Sequence, residues 1–179
     1  MAQDTISFMD AVGLSSAHLV GWSDGAVVGL LVALHRPSLV RRLVLIGQNM
    51  NPQGMVPEFA EMTKLDRMPE EALPPTLREM YAAVSPDGPD HWAVVVDKMW
   101  RMLRTEPDID LNELNKVSAP TLIIAADHDI VTIEHAAAMQ RALPDSQLAV
   151  VPGATHGLPM EKPEAVGRLV LEFLAAEAP

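Results

Sequence analysis

The 179-residue chain contains no cysteine, and aromatic residues make up just 4% of it. The lack of cysteine excludes disulfide bonds, a thiolate nucleophile and cysteine-ligated metal sites. Basic residues are also scarce, since 13 Lys and Arg stand against 24 Asp and Glu, for a formal net charge of -11. Such an excess of negative charge argues against binding to nucleic acid or to an anionic membrane surface. We therefore expect neither kind of partner.

Long apolar runs are absent as well, since no apolar run in the sequence is long enough to span a bilayer. The start, Met1-Ala2-Gln3-Asp4, lacks the basic and apolar regions of a signal peptide. Hydrophobic residues make up 49% of the chain and charged residues 21%, a composition typical of globular domains. These features predict a cytoplasmic protein with one domain and a substantial core.

The most informative motif is Gly21-Trp22-Ser23-Asp24-Gly25, which has the pattern G-x-S-x-G. The apolar run His18–Trp22 before it predicts a buried strand, and Gly25–Leu34 after it predicts a buried helix. We expect both glycines to allow a sharp turn where a Cβ atom would collide with its neighbours. In this strand-turn-helix context the serine hydroxyl stands exposed at the tip and can act as a nucleophile. An ordinary Gly/Ser turn is the alternative.

The predicted elements alternate between strands and helices, which implies a parallel sheet and an α/β fold. Polar residues such as Gln48 follow the carboxyl ends of the strands, the edge at which parallel sheets bind ligands. Gln48 is therefore a candidate substrate contact. The predicted strands are His18–Trp22, Val40–Gly47, Pro120–Ala126 and Gln147–Val151, and the helices that accompany them are Asp4–Leu14, Gly25–Leu34, Ile133–Leu143 and Lys162–Ala178. The first of these helices is amphipathic, and its predicted buried side consists of Ile6, Met9, Ala11 and Val12.

Residues 48–116 interrupt this alternation. They are rich in methionine and proline, hold no convincing strand, and predict an inserted helical lid within a single domain of residues 1–179. Met99 and Met102 are candidate substrate contacts because methionine adapts to varied apolar ligands. Ordinary core packing is the alternative for each methionine. The predicted helices of the insertion are Val56–Asp66, Pro75–Val84, His91–Arg104 and Leu111–Val117.

A nucleophilic serine needs a base to take its proton and a third group to orient that base. Of the six histidines, His156 follows the last predicted strand in a glycine-containing loop from which it could reach Ser23. Asp127 and Asp129 both follow a strand; we favour Asp129 as the orienting acid and expect Asp127 to hold backbone N–H groups. A metal site at residues 127–129 is disfavoured because adjacent side chains point in different directions.

The chain contains the segments Gly21–Gly25, Pro120–Asp129 and Pro152–Gly157. Together they resemble the signature blocks of the serine-dependent α/β-hydrolases, in particular the lidded esterases and lactonases of the valacyclovir hydrolase-like type. The resemblance implies Ser23 as nucleophile, His156 as base and Asp129 as its partner, with no cofactor. It also implies that the Asp24 backbone N–H donates to the oxyanion and that Trp22 and the Asp24 carboxylate contact substrate, the carboxylate facing an amino group. The alternative is that the Asp24 carboxylate stabilises the helix N-terminus, where acidic side chains are favoured, and does not contact substrate.

Members of that family carry several strands before the nucleophile, whereas Ser23 is preceded by 22 residues. We therefore expect a truncated three-layer fold of about four parallel strands that lacks the second oxyanion donor. Loss of one donor typically lowers the rate by about 10²–10³-fold, so weak activity is expected. The strand His18–Trp22 becomes a sheet edge, which predicts a homodimer or pairing with a missing N-terminal segment.

These inferences predict a serine hydrolase of small apolar esters, lactones or thioesters that works through an acyl-enzyme. Two alternatives remain open. The chain could be a non-catalytic, self-associating binding module that keeps the triad residues. It could also be a carbon–carbon bond hydrolase or a cofactor-free haloperoxidase-type enzyme that uses the same triad.

Overall fold

The computed structural model describes residues 1–69 and 72–176. Contacts between residues divide the chain into two units, one of residues 1–56 and 108–179 and one of residues 57–107. By this division residues 48–56 and 108–116, which the sequence places in the insertion, belong to the first unit. The predicted helix end at residues 177–178 lies outside the described residues.

The first unit contains a sheet of four strands in the order β1-β2-β3-β4, and every neighbouring pair is parallel. The prediction of an α/β fold with four parallel strands is confirmed. Strands β3 and β4 extend further at their carboxyl ends than predicted, because the pairing between them continues to His128 and Thr155. Their bounds are β1 Ala17–Trp22, β2 Val40–Ile46, β3 Thr121–His128 and β4 Ser146–Thr155.

Helices cover both faces of this sheet. Along β2, Leu43 and Leu45 pack with residues of the first, second and sixth helices, while Val44 and Ile46 pack with the seventh and eighth. This alternation follows from the two-residue period of a strand and explains why β2 is apolar throughout. The helices are α1 Ala2–Ala11, α2 Asp24–His35, α3 Pro57–Met62, α4 Pro75–Val84, α5 Trp92–Leu103, α6 Ile133–Ala142, α7 Leu158–Glu161 and α8 Pro163–Ala175.

Two predictions of burial are wrong. Strand β1 is not buried throughout, since it lies at the edge of the sheet and Val20 is 50% exposed. Val12 was expected on the buried side of α1, but the helix ends at Ala11 and Val12 is 54% exposed. Ile6 and Met9 are buried as expected. The pairing expected at the β1 edge stays a prediction.

The second unit is helical in its described part and consists of α3, α4 and α5 with their connections. Its most buried large side chain is Trp100, whose indole N–H donates to the backbone oxygen of Leu65 at 3.0 Å. The rings of Tyr81 and Trp92 lie 5.4 Å apart. In the described residues, no helix combines the length and the apolar character that crossing a membrane requires.

Candidate active site

The turn between β1 and α2 holds Ser23 in a strained conformation, with φ 55° and ψ -126°. Gly21 makes this turn possible, because a Cβ atom there would lie 2.3 Å from the carbonyl oxygen of Gly25. Backbone strain of this kind in a non-glycine residue is typical of functional sites. Gly25 differs from our expectation: a Cβ there would meet nothing within 4 Å, so the predicted collision is wrong at that position.

The three predicted catalytic side chains lie in one hydrogen-bonded chain. Nε2 of His156 is 2.9 Å from the Ser23 Oγ, and Nδ1 of His156 is 2.7 Å from the Asp129 Oδ1. The Asp129 side chain is 1% exposed and the His156 side chain 27% exposed. Because an ionised carboxylate can only accept, Nδ1 carries the donated proton and Nε2 is left to accept from the serine hydroxyl.

The surroundings of Asp129 leave little spare room. Its Oδ1 also accepts the backbone N–H of Val131 at 3.3 Å, while its buried Oδ2 has no partner among the described residues. Gly47, just after β2, has φ 57°, and a Cβ there would lie 3.0 Å from Oδ2 and 3.5 Å from the His156 Nδ1. Glycine at position 47 therefore leaves space for the acid and the base, a role that the sequence did not reveal.

The residue before His156 is fixed by a carboxylate from α7. The backbone N–H and the hydroxyl of Thr155 donate to the two oxygens of Glu161 at 2.7 Å and 2.6 Å. These hydrogen bonds lower the pKa of Glu161. The Thr155 hydroxyl in turn accepts the backbone N–H of Gly157 at 3.3 Å. The sequence analysis did not identify Glu161, although Thr155 and Glu161 are polar residues on either side of His156 and six residues apart.

Asp127 has the supporting role that we expected for it. Its Oδ1 accepts the backbone N–H of Ala154 at 3.2 Å and so joins the end of β3 to β4. Hydrogen bonds from the Gly153 and Ala154 backbones lower the pKa of Asp127. Within residues 1–69 and 72–176, His, Asp and Glu side chains form no group of three or more that could hold a metal ion.

Asp24, the first residue of α2, follows the serine directly. Its backbone N–H belongs to the first turn of the helix and has no acceptor within that helix. Its carboxyl group is partly buried, and this burial raises its pKa, while the charge of His156 acts in the opposite direction. Asp24 thus brings a backbone N–H group and a carboxyl group close to Ser23 and His156.

The other predicted substrate contacts are in different environments. The Trp22 indole N–H donates to the backbone oxygen of His156 at 2.8 Å, so Trp22 adjoins the triad. Gln48 is 4% exposed and its Nε2 lies 3.6 Å from the Met139 sulfur, in the core of the first unit. Met99 and Met102 are half-buried residues of α5 in the second unit.

A second histidine stabilises the segment that follows β2. His135, on α6, is buried, and its Nε2 accepts the backbone N–H of Met50 at 3.0 Å. A Cβ at Gly54 would lie 2.5 Å from the His135 ring. Burial lowers the pKa of His135. The same segment pairs with the loop that carries Asp129, since Val56 N–H donates to the oxygen of Ile130 at 2.8 Å.

Comparison with known proteins identifies the family. The model of the alpha/beta hydrolase family matches residues 2–169. The chain belongs to this family. The serine hydrolase BPHL of Homo sapiens is 26% identical over 97% of this chain and 60% of its own length. The 2-hydroxy-6-oxo-6-phenylhexa-2,4-dienoate hydrolase of Burkholderia cepacia is 27% identical over 93% of this chain and 65% of its own length.

A solved structure agrees with the family assignment. The hydrolase from Pseudomonas aeruginosa PA01 matches with a TM-score of 0.69 and 26% sequence identity. The match covers 98% of this chain and 71% of that protein. The chain therefore spans between about three fifths and just over two thirds of the lengths of the three proteins.

Proposed function

We propose that this α/β hydrolase is a serine hydrolase of small apolar esters, lactones or thioesters. The observation that supports the proposal best is the pair of hydrogen bonds, 2.9 Å and 2.7 Å, that joins Ser23 through His156 to Asp129. These distances lie within the range in which a base can take a proton from a hydroxyl group.

In the proposed reaction the Ser23 Oγ attacks the substrate carbonyl carbon while its proton passes to Nε2 of His156. His156 then gives this proton to the leaving alcohol or thiol, and an acyl-enzyme ester remains on Ser23. Water attacks the ester while its proton passes to His156, which then gives this proton to the Ser23 Oγ as the acid product leaves. Asp129 stabilises the charge that His156 gains and keeps its ring in the reactive tautomer.

The backbone N–H of Asp24 is the proposed donor to the oxyanion. Its place directly after Ser23, at the start of α2, adds the positive end of the helix dipole to the hydrogen bond.

The Asp24 carboxylate is the proposed recognition group for a substrate amino group. In support, no salt bridge forms at Asp24 within the described part of the chain, and its carboxyl group is partly buried, which raises its pKa. Asp24→Asn should raise KM for a p-nitrophenyl ester of an amino acid and leave KM for the matching ester without an amino group unchanged. Equal changes for the two esters would favour the helix-terminus alternative.

For apolar contacts, Met99 and Met102 remain the proposed residues. The deep burial of Gln48 against Met139 gives no support to a direct contact between Gln48 and substrate. A comparison of Met99→Ala and Met102→Ala on short and long acyl chains tests the two methionines. The loss should grow with acyl length if they contact substrate.

The experiment for the proposed function is turnover of p-nitrophenyl acetate and butyrate by the wild type and by Ser23→Ala. We expect release of p-nitrophenol that depends on Ser23. Turnover that is the same in both proteins would reject the serine mechanism and would leave a binding module as the better interpretation.

A carbon–carbon bond hydrolase is the second candidate. It is favoured by the 27% identity to the dienoate hydrolase of Burkholderia cepacia. Turnover of a ring-cleavage dienoate at a rate well above that of the esters, again dependent on Ser23, would select it.

A further inference from the structure

Trp22 makes two contacts with His156. Its indole N–H donates to the backbone oxygen of His156 at 2.8 Å. The centroids of the two rings are 5.8 Å apart, and the ring planes are tilted by 39°. One side chain thus contacts both the backbone and the ring of the residue that accepts the serine proton in the proposed function.

These contacts join residues from opposite edges of the sheet. β1, which ends at Trp22, and β4, which ends just before His156, lie at opposite edges of the sheet, with β2 and β3 between them. The nucleophile and the base are therefore carried by strands that do not pair with each other. The indole hydrogen bond joins the residue before Ser23 directly to His156 across that separation.

The ring of His156 can be correctly oriented only if its backbone is also fixed. Nδ1 and Nε2 are held by Asp129 and Ser23, but both of those bonds depend on where the His156 backbone places the ring. The indole donor fixes the His156 carbonyl group, while the bonds between Thr155 and Glu161 fix the preceding residue. Small displacements of a base are costly, because proton transfer requires hydrogen-bond distance.

We propose that Trp22 is a positioning residue that holds His156 within hydrogen-bond distance of Ser23 through its indole N–H. This inference rests on the proposed function and changes the part that Trp22 plays in it from substrate contact to orientation of the base. The geometry favours this assignment because the one polar atom of the Trp22 side chain is already bonded to His156.

The test removes the indole donor and keeps an aromatic ring. Trp22→Phe is one variant, and replacement of Trp22 by 3-benzothienylalanine, in which sulfur stands for N–H, preserves the shape. The matched control is Trp100→Phe, which removes an indole-to-carbonyl hydrogen bond of 3.0 Å to Leu65 in the second unit.

The first readout is kinetic. For both Trp22 variants we expect kcat to fall by about 10-fold, with KM changed by less than about twofold, because the base is misplaced and substrate binding is not affected. A higher KM at unchanged kcat would overturn the proposal in favour of a substrate contact. A lower melting temperature at unchanged kcat, measured per reactive serine, would overturn it in favour of a purely structural role.

The second readout is the low-field proton NMR resonance of the His156 Nδ1–H, which needs no turnover. It should be present in the wild type and in Trp100→Phe and be broadened or shifted in both Trp22 variants. A resonance that is absent from the wild type or unchanged in the variants would overturn the positioning role. If the resonance responds as expected but no protein hydrolyses an ester, the positioning role stands and the proposed function fails.

Discussion

The two sides of the candidate site are built in different ways. The turn that carries the proposed nucleophile, called here the nucleophile turn (Gly21–Gly25), owes its shape to its own backbone, with Ser23 at φ 55° and no room for a side chain at Gly21. The segment that carries the proposed base, called here the base loop (residues 153–161), depends on side chains from elsewhere in the chain. It accepts a hydrogen bond from the indole N–H of Trp22, and it donates hydrogen bonds to the carboxylates of Asp127 and Asp129.

This difference predicts different responses to mutation. A strained turn tolerates no added atoms at its close backbone contact, so a change at Gly21 should affect folding as well as activity. A loop held by several separate hydrogen bonds should lose rate in steps, with the size of each step set by how directly the lost bond acts on His156. The following experiments test this contrast.

The largest expected effect is on the base loop. Asp129→Asn keeps the size of the side chain but removes the charge that orients and stabilises His156, and we expect kcat to fall by about 10⁴-fold. The measurement is ester turnover by folded protein. Asp127→Asn is the matched control, because its side-chain oxygen can still accept from Ala154, and its rate should stay close to that of the wild type. Similar losses in both variants would contradict the assignment of Asp129.

Next in size is the effect of a methyl group in the nucleophile turn. Gly21→Ala places a Cβ 2.3 Å from a backbone oxygen, which should lower the free energy of unfolding by about 1–3 kcal/mol or more. Gly25→Ala has open space around the new atom and should be neutral or slightly stabilising. Urea denaturation compares the two variants. Equal destabilisation would show that the turn is not constrained as described.

A smaller effect is expected at Glu161, which acts on His156 through Thr155. Glu161→Gln should lower kcat by about 3- to 10-fold, since the loop is loosened but the triad remains complete. Glu164→Gln, an exposed change in the first turn of α8, is the control and should have no effect on kcat. A loss at Glu161 as large as that of Asp129→Asn would contradict the graded response.

The lowered pKa of Glu161 adds a dependence on pH. Because the folded protein binds the Glu161 proton less tightly than the unfolded chain, the contribution of this group to stability is complete above the unfolded pKa, about 4.3. It is lost as the pH falls through the lower pKa of the folded protein. Thermal unfolding of the wild type should therefore approach that of Glu161→Gln at acid pH, and a constant difference would contradict this.

The smallest effect should come from His135, which supports neighbouring backbone and touches neither side of the site. Its lowered pKa means that the unfolded chain binds the proton more tightly, so stability falls as the pH drops below about 6.5 and levels off below the folded pKa. His135→Gln keeps an acceptor for the Met50 N–H and should show a flatter pH dependence. Parallel curves of melting temperature between pH 7 and pH 5 would reject this role.

The same contrast explains what the sequence could predict. The turn and its serine follow from a local motif, and β2 follows from an apolar run, so both were predictable. Asp129 and His156 could be proposed because each follows a strand at the same edge of a parallel sheet. The indole bond of Trp22, the space at Gly47 and the contact of His135 with Met50 join residues far apart in sequence. They could not be predicted, because no local pattern records which distant side chains meet.

The most direct test of the central claim is to locate a fluorophosphonate adduct by peptide mass spectrometry. Activation of Ser23 by His156 predicts one adduct per chain on the peptide that contains Ser23. It also predicts no adduct in Ser23→Ala and much slower labelling in His156→Gln. An adduct on another residue, or labelling of His156→Gln at the wild-type rate, would contradict the account.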